Sequence, residues 1–302
     1  MLFVTRRTEG RVYRLAGSAM EAAFAIFWGA AAQRTGVKPA CWAVLSDHYH
    51  AVVCDPDGKL ADFLRDVHSG VARFGNALDE VDQHFWDGQQ TFVEELFDAD
   101  AVIAKMAYVI ANPVLHRLVE SPAAWRGLLT SIDDIGRERG PRYERPAAFF
   151  ADDGPMSESV ELLSFVPPMC EAAYGVEGFR ERLRSAVARL VAEARTAARA
   201  DGRGFVGMKA VRARRRDEAP TTPSGRSAGR HATAGKRIAS SEREALRALL
   251  ERLRHFRELH RAAWEAFMAG VRDVVFPAGT WFAWRFYGAM RDGTDRYERP
   301  PE

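Results

Sequence analysis

The sequence predicts an α+β fold: a mainly antiparallel sheet with helices laid on it, followed by a mostly helical C-terminal extension. Three observations predict it. Short β-rich runs alternate with helical patterns through the first third of the chain. Two of those runs, Cys41–Leu45 and His48–Cys54, are separated only by Ser46 and Asp47. Beyond residue 176 the long periodic segments are helical. A two-residue connection imposes antiparallel pairing, whereas a doubly wound parallel sheet needs a crossover helix between its strands.

The elements follow in order. LFVT (Leu2–Thr5) is a β-rich run. Ser18–Thr35 is a helix, with Met20, Ala23, Phe24, Phe27 and Ala31 recurring at spacings of three and four, and Gly36 ends it. The hairpin comes next, although its turn lacks the favoured Asn-Gly or Asp-Gly pair. Leu60–Ala77 carries Phe63, Leu64, Val67, Val71 and Phe74 on one helical stripe. Thr91–Leu96 is a further strand, and Asp98 caps a helix over 98–111 with Val102, Met106 and Val109 on one side. Pro-, Asp- and Gly-rich sequence from Pro141 to Pro168 marks a boundary. Helices over Glu177–Ala200 and Ser241–Val271 then flank a basic linker, and the segment FPAGTWFAWRF follows them. The division expected is a catalytic domain at 1–140, a linker at 141–175, and a helical extension at 176–302 with a mobile basic arm at 203–240.

Composition limits the function classes. The chain has 302 residues, 47% hydrophobic and 28% charged, which is ordinary globular usage. No run approaches the roughly 20 uncharged apolar residues of a membrane helix, and MLFVTRRTEGR carries charges where a signal peptide would be apolar, so a cytoplasmic protein without a membrane partner is expected. Cys41, Cys54 and Cys170 are too few and too scattered for a disulfide framework and read as free thiols. The net charge is only +2, yet residues 203–247 hold twelve Lys or Arg against four Asp or Glu. That local excess, which includes Arg212, Arg214, Arg215 and Arg216, fits an arm attracted to nucleic acid and equally fits a solvated linker.

Chemistry centres on two segments. His48 and His50 are two apart on a strand, so both imidazoles project from one face and Tyr49 from the other. Two histidines at this spacing are half of a divalent-metal site, though strands also carry the pattern by chance. The second segment is Tyr108-Val109-Ile110-Ala111-Asn112-Pro113. Pro113 disfavours helical geometry at Asn112, so the helix is expected to end there, with Tyr108 one turn inside and Asn112 on the same side. Lys105 shares that face. A phenol with an ordinary pKa of about 10 is a poor nucleophile at neutral pH and needs a nearby cation and a polarised electrophile. Lys105, and a metal on His48 and His50, would supply both.

Together these residues carry a family resemblance. WAVLSDHYHAVVCDP resembles the histidine-hydrophobic-histidine segment of single-tyrosine HUH transposases, and AYVIANPVLHRLVESP resembles their catalytic helix, in which an Asn-Pro-Val follows the tyrosine. VTRRTEGRVYRL is similar to their first strand and arginine-rich loop. The three segments, in order, span roughly residues 1–130 and are most similar to the REP-associated tyrosine transposase branch. GFVGMKAV, FRELHRAAWEAF and DVVFPAGTW resemble the C-terminal extension of a longer subgroup.

The resemblance implies a ferredoxin-like antiparallel sheet and a set of roles. Tyr108 takes the place of the nucleophile, His48 and His50 of the metal ligands, and Asn112 of a further polar ligand, with Lys105 as phosphate or nucleophile support. Mg²⁺ or Mn²⁺ is the implied cofactor. The implied reaction is cleavage and rejoining of single-stranded or hairpin DNA through a 5′-phosphotyrosine, with Arg6, Arg7, Arg11, Arg14, Arg212, Arg214, Arg215 and Arg216 as candidate DNA-binding groups. Relatives include domain-swapped dimers and monomers, so a homodimer is one expected arrangement. A non-catalytic nucleic-acid-binding protein of the same fold is the competing reading. Two departures stand out. Asp47 replaces the Asn usual before the first histidine, where a carboxylate beside the metal would alter its affinity, and Leu115-His116-Arg117 replaces small residues after Asn-Pro-Val.

Overall fold

The structure is a computed structural model that describes residues 1–88, 91–147, 150, 156–221, 237–239, 243–271, 273–277 and 290–291. Strand β1 (Leu2–Arg7) leads to helix α1 (Ser18–Thr35), strands β2 (Lys38–Val44) and β3 (His48–Cys54), helix α2 (Leu60–Asp79), strand β4 (Phe92–Leu96) and helix α3 (Ala99–Leu115). β2, β3, β1 and β4 lie side by side in that order, all antiparallel. This is the α+β ferredoxin-like order the sequence predicts.

Local signals set the boundaries. Gly36 closes α1 in the left-handed region at φ 73°, a conformation that favours glycine, and its N–H reaches the Ala32 carbonyl at 3.0 Å. Asp98 accepts from the Ala101 N–H at 2.7 Å and so starts α3.

The sheet has two covered faces because its residues alternate. Val4, Trp42, Val44, Tyr49, Ala51 and Val53 pack against α1 and α2. Phe3, Cys41, Ala43 and Val52 pack against α3. β5 (Arg142–Glu144) and β6 (Ser159–Glu161) form a small antiparallel pair whose Val160 lies against α1. The approach is so close that a Cβ on Gly29 would sit 2.1 Å from Val160 Cγ2. Residues expected to be a linker therefore seal one side of the first core.

Helix α4 (Pro168–Ala200) bends at Gly175 and buries Phe179, Leu183, Val187 and Val191 in the core beneath α3. It begins nine residues earlier than the periodic pattern, which becomes regular only beyond the bend. Helix α5 (Met208–Arg212) and the turn after it also pack on this unit, and β7 (Arg237–Ala239) pairs in parallel with β4. By contacts the first unit thus spans Met1–Ala239, and the second spans Ser240–Glu302. The sequence placed a boundary near residue 140. Within the second unit, helix α6 (Arg243–Met268) sets Ala263 and Phe267 against Phe276 of the short strand β8 (Val275–Phe276), which pairs with β9 (Met290–Arg291). The arm residues 222–236, and the parts of FPAGTWFAWRF and DVVFPAGTW beyond Pro277, lie outside the described residues.

The three cysteines are free. Burial pushes the Cys41 thiol well up, and burial followed by Asp100 and Asp98 pushes Cys170 up to about 12, so neither is a thiolate at neutral pH. Among the described residues no helix is long and apolar enough to cross a membrane.

Candidate active site

Register brings the site together. Thr5 lies opposite His50 and Arg7 opposite His48, and directly opposed residues share a face. The α3 side of the sheet therefore presents Phe3, Thr5 and Arg7 beside His48 and His50. Phe3 stacks on His50 with centroids 5.5 Å apart. The ring of Tyr108 meets His50 nearly edge-on at 5.3 Å, which places the expected nucleophile against the expected ligand.

Helix α3 does not stop at Asn112. It continues through Pro113 to Leu115, and the His116 N–H closes the last turn on the Asn112 carbonyl at 3.0 Å. Proline removes one N–H from the ladder, but buried Val109, Ile110 and Val114 hold this turn against the sheet. Tyr108, Asn112 and His116 consequently fall four apart on one stripe. His116 joins the two strand histidines: one ring nitrogen from each of His48, His50 and His116 lies within 4.8 Å of the others. The His116 ring is 5.1 Å from that of His48. Sequence reasoning counted His116 only as a bulky departure, because a helix ending at Asn112 would not present it. The spacing of eight from Tyr108 was the available signal.

The polar atoms here lack protein partners. Asn112 is fully buried, and neither its amide oxygen nor its amide nitrogen makes a hydrogen bond. His48 Nε2 and His50 Nδ1 are likewise buried and unpartnered. Leaving such groups unsatisfied costs about 1–3 kcal/mol each, so their concentration at one point fits a bound ligand.

Asp47 is turned to His48 and Arg11. Its Oδ1 lies 2.7 Å from His48 Nδ1, and its Oδ2 accepts from Arg11 Nε at 3.3 Å. A carboxylate can only accept there, so Nδ1 carries a proton and Nε2 is the ring nitrogen left to the pocket. Burial pushes the Asp47 carboxyl up, but the His48 hydrogen bond and the charges of His48, Arg11 and His116 outweigh it and hold the group below the ordinary carboxylate range. Burial first, then His48, His116, Arg7 and Lys105, holds His50 well below the usual histidine value. His116 is exposed along part of its ring, but the atoms crowded around the rest desolvate it, and that desolvation with His48, Arg7 and Arg11, against the pull of Asp47, lowers it to about 4. His50 and His116 are therefore neutral at pH 7, as ligation requires.

The expected cations divide. Arg7 is exposed beside His48, Arg11 grips Asp47, and Arg214 reaches Ser46 Oγ at 3.4 Å while covering the Tyr13 ring. Arg7 and Arg11 border the histidines, and Arg214 lies at the turn that precedes them. Lys105 lies at the rim, held by Glu94 at 2.5 Å and seated over Phe3. Arg6 points to the opposite face, where its Nη1 donates to His68 Nδ1 at 2.8 Å. Arg14 is buried, with Asp79 at 2.9 Å and Asn76 at 2.8 Å, so it presents no free face to a phosphate. Arg216 grips Asp79 at 2.6 and 3.0 Å and also donates to the carbonyls of Arg14 and Ala16. Arg212 donates to the Arg126 carbonyl, and exposed Arg215 pairs with Asp217. Arg14 and Arg216 thus belong to the fold, because burial beside Asp79 uses their donors internally.

No protein-family model matches this chain, and no curated protein matches it. Among solved structures, the chain is similar to a REP-associated tyrosine transposase bound to a REP hairpin, at 17% identity and TM-score 0.37, over 44% of this chain and 77% of that one. It is also similar to a crystal structure described as a transposase from Deinococcus radiodurans R1, at 15% identity and TM-score 0.26, over 30% of this chain and 75% of that one. At these values neither likeness bears on what the chain does.

Proposed function

We propose that this chain is a metal-dependent DNA strand transferase of the single-tyrosine HUH type, with Tyr108 as its nucleophile. One observation supports this reading above the others: Tyr108 lies against His50, one of three histidines whose ring nitrogens converge, and the next residue on its helical stripe is a buried, unpartnered Asn112. Neutral imidazoles and an unpaired amide fit a divalent ion, with Mg²⁺ or Mn²⁺ implied by the motif resemblance. Held by His48, His50 and either Asn112 or His116, such an ion would supply Lewis-acid polarisation of a scissile phosphate.

The protein's own groups do the rest. Tyr108 Oη attacks phosphorus in line, the bond from phosphorus to the 3′ oxygen breaks, and that oxygen leaves as a hydroxyl with a proton gained while the phenol loses one. The chain is left with a 5′-phosphotyrosyl bond. One phosphoester has replaced another, so a second 3′-hydroxyl can reverse the step and join a new end without a nucleotide cofactor. Arg7 and Arg11 flank the histidines and, with Arg214 at the neighbouring turn, would position the backbone, with affinity falling as salt rises. The substrate in this reading is single-stranded DNA beside a hairpin, acted on by a monomer or a homodimer.

Incubation with labelled hairpin DNA and Mn²⁺ tests the proposal. A covalent adduct that disappears in Tyr108→Phe is expected. An adduct equally abundant in that variant would remove Tyr108 from the role, and binding without cleavage by the wild type would favour a non-catalytic nucleic-acid-binding protein.

A further inference from the structure

We infer that this pocket selects a borderline transition ion such as Co²⁺ or Zn²⁺ over Mg²⁺, using one imidazole nitrogen from each of His48, His50 and His116. The inference deepens the metal-dependent reading above and rests on it.

Donor chemistry is the first reason. Imidazole suits borderline ions, whereas Mg²⁺ takes oxygen ligands in a near-ideal octahedron and is usually anchored by one or two carboxylates. The convergent group here is three histidines and contains no carboxylate. The near carboxylate, Asp47, is directed at His48 Nδ1 and tethered by Arg11. Asn112 adds at most one amide oxygen.

Charge is the second. Arg7 and Lys105 bear on His50, and Arg7 and Arg11 bear on His116. Arg11 is paired with Asp47 and Lys105 with Glu94, so those carboxylates are engaged outside the three-histidine group, and an ion bound chiefly by electrostatics finds Arg7 beside it and no anionic ligand in the group itself. An ion that gains from nitrogen donation needs less compensation.

Geometry is the third. Nitrogens about 2.1 Å from a common ion lie no more than about 4.2 Å apart. The group's upper separation of 4.8 Å is therefore closed by a small ring rotation. His116, at the end of α3, has the exposure to make it. Asp47 then acts as a positioning residue: its hydrogen bond fixes the tautomer that turns His48 Nε2 inward, an arrangement common behind metal-bound histidines.

The test titrates the metal-free full-length chain with Co²⁺, reading its visible ligand-field bands, and competes the complex with Zn²⁺ and Mg²⁺. One Co²⁺ per chain with nitrogen-type bands is expected, displaced by stoichiometric Zn²⁺ and retained in hundredfold excess Mg²⁺. His116→Gln should weaken Co²⁺ at least tenfold and shift the bands. Asp47→Asn should weaken it about 10- to 100-fold with the three-nitrogen bands kept. Melting curves of both variants establish that they fold, and the wild-type Zn²⁺ and Mg²⁺ competition decides the matter if either does not. Displacement of Co²⁺ by equimolar Mg²⁺, or a His116→Gln spectrum and affinity equal to wild type, would overturn the inference. The DNA adduct is scored separately: an adduct without Co²⁺ selectivity sinks the metal assignment alone, and Co²⁺ selectivity without an adduct sinks strand transfer alone.

Discussion

The two faces of β3 carry buried polar groups of the same kinds and treat them in opposite ways. On the face toward α1 and α2, the Tyr49 hydroxyl meets His68 Nε2 at 2.7 Å, and His68 Nδ1 accepts from Arg6. Trp86 closes the chain by donating to the His68 carbonyl. On the other face, one residue away in either direction, His48 and His50 each keep an unpartnered nitrogen. Burial is equal on the two sides, so burial does not mark the site. The imidazoles do: both ring nitrogens of His68 are paired, and the atoms left unpartnered on that side, Arg6 Nε and Trp28 Nε1, are donors that hold no cation, whereas His48 and His50 each keep a free ring nitrogen.

The contrast can be broken by substitution. The largest effect belongs to the unpaired side, where a His48→Ala, His50→Ala double variant should bind Mn²⁺ too weakly to detect by electron paramagnetic resonance. Unchanged affinity would place the metal elsewhere. On the paired side, Trp28 packs edge-on to Phe63 at 4.8 Å. Trp28→Ala should cost about 3–5 kcal/mol in urea unfolding, with the metal ligands untouched. Smaller again is Tyr49→Phe, which strands His68 Nε2 and should cost about 1–3 kcal/mol. His50→Leu, which removes an unpartnered group, should change the stability of the metal-free protein by less than that. A larger loss from His50→Leu than from Tyr49→Phe would reverse the comparison.

Acidity sharpens the same point. Burial, then Arg6, holds His68 well below its ordinary value of 6.5. A depressed histidine stays neutral in the folded protein while the unfolded chain takes up a proton. Its stabilisation is complete above pH 6.5 and is lost as pH falls toward the folded-state pKa, by up to about 1.4 kcal/mol per pH unit. Melting temperatures measured from pH 7 to pH 5 should fall, and the fall should be shallower in His68→Gln. The smallest effect is at a helix end: Asp98→Ala should cost about 1 kcal/mol through the lost bond to the Ala101 N–H.

Local rules reached most of the first 115 residues. Periodicity located α1 to its last residue, and β-rich composition located β3, because those signals act within one element. The same reading put His48, His50 and Tyr108 in their places. It lost His116 by applying a local proline rule where tertiary burial of Val114 prevailed. It read Arg214 and Arg216 as an arm, since composition does not disclose that Asp79 and two loop carbonyls receive Arg216, and Ser46 receives Arg214, from more than a hundred residues away. His68 drew no notice, because nothing in its own helix distinguishes it from a surface histidine.

The clasp made by Arg216 has a consequence for the order in which the protein is completed. Its partners Arg14 and Ala16 flank the loop that carries Arg11 to Asp47, and the Tyr13 N–H bonds the Glu218 carbonyl at 2.8 Å. A wall beside the first strand is thus finished by residues synthesised some two hundred positions later. During translation the sheet and its histidines leave the ribosome well before that wall can close, and before α4 can cover α3. The nascent chain holds His48, His50 and Tyr108 early, and acquires the last support of the loop behind His48 only when its third quarter has emerged.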